Sequence, residues 1–570
     1  MATIFDPMAA SGGDDGNSGK LANGQQASFS QGLTTINRDF KEKEVMRRAE
    51  ELKIPYVDIA RTPVNPDLLR LVTLDMAQKA SVMPFMLVGR VIRIAAVDPS
   101  NVETLKLFEV LKAQRFEVLP HLCSQQSFEE TLHVYDFEKG IEKQKLITTV
   151  EHDRIAAYEK EISLLSEMRE KVEKLTADEA MNFIEVGAMK TNASDIHYEP
   201  SAGLTRVRFR IDGVLHKVFD LNQDVYKNIA NQIKYRSKMK LNVTNIPQDG
   251  RYSFVLNNGK VDVRVSSIPT EFGESFVCRL LDSSKGVMHF DQMGFAGKYL
   301  ETMNGLSGLS HGMVLVTGPT GSGKTTTLYA LLAQFNDTET KIITLEDPVE
   351  YQITGVTQSQ IDESHGYSFA AGLRSVLRQD PDVVMIGEIR DLETATTAAQ
   401  AALTGHVLLS TLHTNSAVET IPRLLNMGIP EFMMAPALST IIAQRLVRVV
   451  CECREMVAPS ASDLAKFQAM VASLAVVRPD LKVAVPETIP RPVGCDKCSK
   501  TGYKGQLVIC EMFSMDREME ELILQKSSSG KLLEAARKKG MITLEEDGLL
   551  KVAQGLTTIE EVFRATNMGV

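Results

Sequence analysis

The stretch MVLVTGPTGSGKTTTLYALLAQF, residues 313–335, decides the fold of the largest part of the chain. Its first five residues form an apolar run that is typical of a buried strand, and its last eleven are typical of a helix. Between them, GPTGSGKT satisfies the phosphate-loop pattern G-x-x-x-x-G-K-[ST]. Because phosphate requires a ring of backbone N–H donors, the glycines allow the chain to wrap it closely. The sequence therefore predicts an α/β nucleotide domain with phosphate at a helix N-terminus.

The predicted phosphate contacts come from the loop and the start of its helix: Gly318, Pro319, Thr320, Gly321, Ser322, Gly323, Lys324, Thr325 and Thr326. Lys324 can bridge the β- and γ-phosphates, and Thr325 can ligate Mg²⁺. A second apolar strand is predicted in PDVVMIGEIRD, residues 381–391. Glu388 follows that strand and can hold the Mg²⁺ shell, although most phosphate-loop enzymes use Asp there.

Two further clusters admit either a structural or a catalytic interpretation. Glu346, Asp347 and Glu350 lie in TLEDPVEY, residues 344–351, either as a solvated acidic loop or as carboxylates that direct the attacking water. His406 and His413 flank the apolar strand in LTGHVLLSTLHT, either as structural residues or as sensors of the γ-phosphate.

Composition limits the remaining function classes. The net charge of −10 argues against a protein that coats nucleic acid. The longest uncharged apolar segment, 432–443, has 12 residues and is too short to span a membrane. The first 20 residues lack the pattern of a secretion signal, and seven cysteines do not make a disulfide framework. We therefore expect a cytoplasmic protein.

The 570 residues predict about three to four domains. The patterns favour a disordered tail (1–40), an N-terminal α/β domain (41–136), a helical linker (137–175), a second α/β domain (176–285) and the phosphate-loop domain (286–570). In the first domain, FMLVGRVIRIAAVDP predicts two strands around Gly89-Arg90. In the second, hairpins are predicted at 204–219 and 250–269.

Four cysteines form a candidate metal site within the last domain. Cys495 and Cys498 have the C-x₂-C spacing of metal sites, whereas Cys451 and Cys453 are one residue closer together. Cys510 is a possible substitute ligand. From spacing alone, a structural Zn²⁺ site and four reduced cysteines both remain open.

The chain resembles the type II/type IV secretion ATPase family (PilB/GspE), most closely its type IV pilus assembly ATPases. Besides the phosphate loop, the matching blocks are ASDIHYEP (193–200), RFRIDG (208–213), PQDGRYS (247–253), VDVRVSSIPTEFGE (261–274), LEDPVEY (345–351), LRSVLRQDPDVVMIGEIRDLETA (373–395), TGHVLLSTLHTNSA (404–417), AQRLVR (443–448) and GMITLEEDGLLKVAQGLTTIEEVFR (540–564). The resemblance implies a multidomain α/β fold with a RecA-like ATPase core, preceded by a PAS-like domain and a small N-terminal domain. It also implies a cysteine module (446–512) and C-terminal helices (513–570).

The resemblance also implies roles for single residues. Glu350 would be the general base, with Glu346 and Asp347 beside it; Glu388 would hold Mg²⁺, and His406 and His413 would form the family's His box. Arg264 and Arg279 match arginines that the second domain brings to the phosphates, with Arg251 as a weaker candidate. Alternatively, these arginines pair with carboxylates on neighbouring strands.

The resemblance favours Zn²⁺ on the four cysteines, although Gln506 replaces an arginine that the family carries. Cyclic di-GMP is not predicted, because the Arg-Leu-Gly-led repeat that binds it in some relatives is not found.

The implied function is a hexameric motor that uses ATP and Mg²⁺ to drive pilin polymerisation through an inner-membrane platform protein (PilC/GspF-like). Closure of the second domain around residue 285 would precede hydrolysis. A docking protein of the machine would bind the N-terminal domain, at the inner face of the cytoplasmic membrane and without nucleic acid. The main alternative is a type II secretion ATPase that builds a pseudopilus. A DNA translocase and a non-hydrolysing nucleotide-gated scaffold are less favoured.

Overall fold

The computed structural model describes residues 41–62, 64, 68–69, 71–135, 168–256, 259–282 and 286–566. The predicted tail, the linker up to residue 167, the hairpin turn at 257–258 and the hinge near 285 lie outside these residues. No helix among the described residues is long and apolar enough to cross a membrane.

The chain divides into two compact units. Unit 1 contains the described residues up to 135, together with 227–251 and 266–275. Unit 2 contains the described residues of 152–226, 252–265 and 276–570. The division passes through the predicted domain 176–285, so the boundaries of that domain remain a prediction.

The N-terminal part of unit 1 is a small α/β fold. Its elements are α1 (41–52), α2 (Leu74–Ala80), β1 (Val82–Val88), β2 (Val91–Ala96), α3 (Val102–Ala113), β3 (Glu117–Leu122) and α4 (Gln125–Thr131). Strands β1 and β2 pair antiparallel on either side of Gly89-Arg90, and β3 joins β2 in parallel. The predicted strand pair is therefore confirmed, and its inner face packs into one apolar core with α3.

The next segment forms a six-stranded sheet in the order β6-β5-β4-β9-β8-β7. Its elements are α5 (Met168–Val172), α6 (Ala177–Lys190), β4 (Ala193–Pro200), β5 (Leu204–Ile211), β6 (Val214–Asn222), α7 (Gln223–Arg236), β7 (Gln248–Leu256), β8 (Gly259–Thr270) and β9 (Gly273–Asp282). Strands β5 and β6 form the predicted antiparallel hairpin around Asp212-Gly213. Strand β4 lies between β5 and β9 and pairs with both antiparallel.

The phosphate loop belongs to a seven-stranded sheet in the order β12-β11-β13-β14-β10-β15-β18. The elements up to β15 are α8 (Gly297–Gly305), β10 (Gly312–Thr317), α9 (Lys324–Phe335), β11 (Ile342–Glu346), β12 (Thr357–Gln360), α10 (Phe369–Leu377), β13 (Val383–Ile386), α11 (Leu392–Leu403), β14 (Val407–Leu412), α12 (Thr420–Asn426), α13 (Glu431–Ala437) and β15 (Leu438–Val450). Adjacent strands from β12 to β15 are parallel. Alternate residues of β10 enter different apolar cores, which explains why this strand is a continuous apolar run.

The remaining elements are β16 (Glu455–Val457), α14 (Ala461–Val477), β17 (Ile489–Arg491), β18 (Tyr503–Ser514), α15 (Arg517–Leu524), α16 (Ser529–Lys538), α17 (Leu544–Ala553) and α18 (Ile559–Thr566). Strands β16 and β17 form a separate antiparallel pair between β15 and β18 in sequence. Strand β18 returns antiparallel to β15 at the edge of the large sheet. The predicted C-terminal helices are confirmed.

Candidate functional site

The predicted phosphate chemistry gathers at one edge of the large sheet. Strand β14 pairs in parallel with β13 on one side and β10 on the other, and β11 lies beyond β13. The carboxyl ends of these strands therefore share an edge, where a ligand site of an α/β sheet is expected. The phosphate loop, Glu388, His413 and the acidic loop 347–353 all follow these strand ends.

The phosphate loop requires glycine at its first position. Gly318 has φ +146°, and a Cβ there would lie 2.6 Å from Gln444 O. At the other end of the loop, Lys324 Nζ donates to Gly318 O at 2.9 Å and to Pro319 O at 3.1 Å. Burial lowers the pKa of Lys324 to about 8, with Arg445 acting in the same direction and Glu388 against it.

Strand β15 contacts the phosphate loop through the side chain of Gln444. Gln444 is fully buried; its amide donates to Ser322 O at 2.7 Å and accepts from Thr327 Oγ1 at 2.9 Å. Thr325, the predicted Mg²⁺ ligand, is exposed at the start of α9. The buried Ser322 hydroxyl has no hydrogen-bond partner among the described residues.

Glu388 is the centre of a polar group at the end of β13. Its side chain pairs with Arg390, and its Oε2 lies 3.4 Å from His413 Nε2. Arg390 also reaches Asp347 Oδ2 at 3.7 Å, which connects this group to the acidic loop. Burial and the charge of Lys324 lower the pKa of His413. The lowered pKa favours the neutral imidazole beside Glu388.

Glu350, the predicted base, lies beside an arginine of the six-stranded sheet. Arg264 Nη1 is 3.3 Å from Glu350 Oε2, and Arg264 Nη2 donates to Val349 O at 2.6 Å. Burial raises the pKa of Glu350, while the charges of Arg264 and Arg279 oppose that rise. A carboxylate with a raised pKa is a better proton acceptor, which suits a general base.

The second predicted arginine has a structural partner. Arg279 lies opposite Asp195 in the β4–β9 register, and its Nε donates to Asp195 Oδ1 at 3.0 Å. This pairing corresponds to the alternative in which the arginine meets a carboxylate on a neighbouring strand. Its charge still acts on Glu350, whose pKa it lowers. The weaker candidate, Arg251, is exposed on β7.

The positions of two predicted nucleotide residues do not support that role. His406 precedes β14 at the amino end of the strand, where its Nδ1 contacts Ala401 O. The six residues of β14 separate it from His413, and the seven steps of about 3.3 Å between the two histidines amount to about 23 Å. Glu346 is only 3% exposed, and its carboxylate accepts hydrogen bonds from Tyr329, Thr344 and Gln358. Glu346 therefore belongs to the interior beneath the acidic loop.

The four predicted metal cysteines converge. All sulfurs of Cys451, Cys453, Cys495 and Cys498 lie within 4.8 Å of one another. The contacts at 3.9, 4.0 and 3.8 Å match the separation of about 3.8 Å between thiolates around tetrahedral Zn²⁺. The shorter C-x-C spacing is thus compatible with a four-sulfur site. Cys510 lies outside the cluster, buried on β18 opposite Gln444.

Five side chains that contact the site residues are not predicted from the sequence: Tyr329, Gln358, Arg390, Gln444 and Arg445. Arg390 stands two residues after Glu388, and the spacing could have suggested its partner. The others meet their partners across different elements, which no local pattern reveals.

Comparisons with known proteins show the family of the chain. The family model described as type II/IV secretion system protein matches residues 120–564, and one described as MshEN domain matches 52–138. The type IV pilus assembly ATPase PilB of Myxococcus xanthus is 38% identical over 519 residues, which cover 91% of this chain and 90% of that protein. Type II secretion system protein E of Pseudomonas aeruginosa is 43% identical over 380 residues, 66% of this chain and 73% of that protein. Among solved structures, the Yersinia pseudotuberculosis ATPase DotB covers 69% of this chain and 93% of its own, with 19% identity and a TM-score of 0.50.

Proposed function

Because the chain belongs to the type II/IV secretion system protein family, we propose that it is an ATP-hydrolysing motor that drives the assembly of a type IV pilus. The proposal rests on the arrangement of side chains at the edge of the large sheet where the parallel strands end. There the phosphate loop, Glu388 and His413 lie together, and Arg264 meets Glu350. The named pilus ATPase that is similar over 91% of this chain supports the choice of pathway.

The described residues can perform each part of ATP hydrolysis. The loop amides and Lys324 bind the β- and γ-phosphates. Thr325 and Glu388 would hold Mg²⁺, which when bound neutralises charge on the phosphate oxygens. Glu350 orients and deprotonates the attacking water. Arg264 stabilises the charge that develops on the transferred phosphoryl group, and Arg279 would join it on leaving Asp195, with which it pairs in this structure.

The larger assembly is also part of the proposal. Six copies of the chain would form the motor and act on an inner-membrane platform protein, from the inner face of the cytoplasmic membrane. The N-terminal domain would bind a docking protein of the same machine. Type II secretion is the second candidate, favoured by the 43% identity to a type II secretion system protein over 380 residues.

We further propose that the four-cysteine cluster binds one structural Zn²⁺. With four thiolates at tetrahedral separations, the site leaves no position open for substrate. Purified protein should contain about one zinc per chain by mass spectrometry of the metal. Cys495→Ser should lose it and melt at a lower temperature, whereas Cys278→Ala, buried elsewhere, should keep it. Zinc-free native protein would contradict this assignment.

The pathway is tested in cells. The gene is deleted and complemented with the native form or with Lys324→Ala, and surface pili are counted by electron microscopy. We expect pili to vanish on deletion and to return only with the native form. Persistent pili, with exported enzymes accumulating inside the cell, would instead support type II secretion.

A further inference from the structure

Tyr329 connects the phosphate-loop helix to the backbone of the proposed base. It is fully buried on α9, and its hydroxyl donates a hydrogen bond to Glu346 Oε2. The same hydroxyl accepts a hydrogen bond from the backbone N–H of Glu350 at 3.3 Å. Burial and the charge of Glu346 raise the pKa of Tyr329, so the phenol keeps its proton at neutral pH. The hydroxyl can therefore serve both contacts at once.

Gln358 holds the next part of the acidic loop. Its Nε2 donates to Tyr351 O at 3.0 Å, and its Oε1 accepts from Ile353 N–H at 2.7 Å. The same Nε2 lies 3.1 Å from Glu346 Oε1. Tyr329 and Gln358 thus form hydrogen bonds with three backbone groups of the loop, and both side chains also donate a hydrogen bond to the Glu346 carboxylate.

Glu346 is the common anchor of this network. One carboxylate oxygen accepts from Tyr329; the other accepts from Thr344 at 2.6 Å and from Gln358. With the side chain buried and both oxygens used inside the protein, its role differs from that of an exposed nucleotide ligand. A buried network whose polar groups all have hydrogen-bond partners holds the residues that it joins in one arrangement.

We propose that Tyr329 and Glu346 are positioning residues that set the place of Glu350 relative to the phosphate loop. The proposal rests on the proposed function, in which Glu350 directs the attacking water. A base must lie within hydrogen-bond reach of the water it deprotonates. Displacement of such a group by about 1 Å can reduce the rate roughly 100-fold. Tyr329 couples that position to α9, whose first turn binds the phosphates.

The test is Tyr329→Phe in the full-length chain. The substitution removes both hydroxyl contacts but keeps the ring, which packs edge-to-face on Tyr351 at 4.7 Å. We expect kcat for ATP hydrolysis to fall roughly 10- to 100-fold, with KM for ATP within about twofold of the native value. The phosphate contacts are untouched, so binding of a fluorescent ATP analogue should also be unchanged.

Tyr299→Phe provides the matched control. Tyr299 is also buried, and its hydroxyl also contacts backbone groups: it donates to Ile542 O at 3.2 Å and accepts from Ile542 N–H and Met512 N–H. These contacts lie away from the acidic loop. Tyr299→Phe should therefore lower the melting temperature by a similar amount while leaving kcat near the native value.

Gln358→Leu is a second variant that tests the same network if Tyr329→Phe fails to fold. It removes the second arm of the network, so it should show the same selective loss of kcat. In one outcome, the native protein is active while Tyr329→Phe and Gln358→Leu both keep the native kcat, or lose rate through KM alone. In that case the positioning role is wrong and the proposed function stands. If native protein hydrolyses no ATP, the proposed function itself fails, and this inference fails with it.

Discussion

Lys324 is placed for phosphate by the loop that carries it. Two loop carbonyls hold its ammonium group, and burial lowers its pKa to about 8. The charged form is the one that binds phosphate, so it predominates below pH 8 and is lost as the pH rises above it. ATP affinity should therefore fall between pH 7.5 and 9.5, by roughly tenfold per pH unit above the pKa.

This pH dependence can be measured with a fluorescent ATP analogue on Glu350→Gln, which removes the proposed base and limits turnover. Lys324→Met should bind weakly and show no such dependence, because the titrating group is gone. A constant dissociation constant for the unsubstituted lysine across this range would exclude Lys324 as the titrating phosphate ligand.

Arg264 is expected to act on the rate of hydrolysis more than on ATP binding. An arginine that reaches the transferred phosphoryl group contributes roughly 10³- to 10⁵-fold in rate. Arg264→Ala should therefore lower kcat at least about 100-fold. The acidic side of the kcat–pH profile should also move to higher pH, because the burial that raises the pKa of Glu350 remains while the nearest opposing charge is removed.

Arg206→Ala is the control for this variant. Arg206 is exposed on β5 of the same sheet, so its loss removes one surface charge without affecting the acidic loop. Steady-state hydrolysis from pH 5.5 to 9 compares the two variants. Equal rates for both would show that the contact between Arg264 and Glu350 has no part in the reaction.

At the scale of elements, the turn from β10 into α9 depends on two glycines in different ways. Gly318 and Gly321 both have positive φ, which costs an alanine roughly 1–2 kcal/mol. A Cβ on Gly318 would also overlap Gln444 O at 2.6 Å, whereas one on Gly321 would meet nothing within 4 Å. Gly318→Ala should therefore weaken ATP binding at least about tenfold, and Gly321→Ala should weaken it much less.

Calorimetric titration with an ATP analogue and thermal melting distinguish these effects. Both variants carry backbone strain, and only Gly318→Ala adds an overlap with Gln444 O of β15 and with Ser322 Oγ of the loop. Equal affinities for the two variants would mean that contact with β15 does not shape the phosphate loop.

Strand ends also explain which site residues the sequence could predict. Lys324, Glu388 and His413 each follow an apolar strand, and the carboxyl ends of parallel strands must meet. The same logic places His406 at the opposite edge, because it precedes the strand that His413 follows. The acidic cluster in TLEDPVEY predicts a nucleotide role for Glu346 together with Asp347 and Glu350, but as the last residue of β11 Glu346 is buried in the interior.

At the scale of the molecule, the sequence predicts several of the folded parts, and the boundaries of the domains stay predictions. Apolar runs and turn glycines marked the three-stranded sheet, the β5–β6 hairpin and the phosphate-loop sheet. The division into two units passes through the predicted second domain, since helix α7 and strands β7 to β9 each contribute residues to both. Networks such as Tyr329, Glu346 and Gln358 depend on contacts between distant segments, so periodicity alone could not reveal them.

Mg²⁺-dependent ATP hydrolysis by the purified full-length chain, compared with Glu350→Gln and Glu339→Gln, shows whether the chain is an ATPase that uses Glu350 as its base. Glu339 is exposed ahead of β11 and serves as the matched control. We predict that the native chain and Glu339→Gln hydrolyse ATP alike. Glu350→Gln should bind ATP within about threefold of native affinity but turn it over at least about 100-fold more slowly. Native turnover in Glu350→Gln, or none in the native chain, would contradict this account.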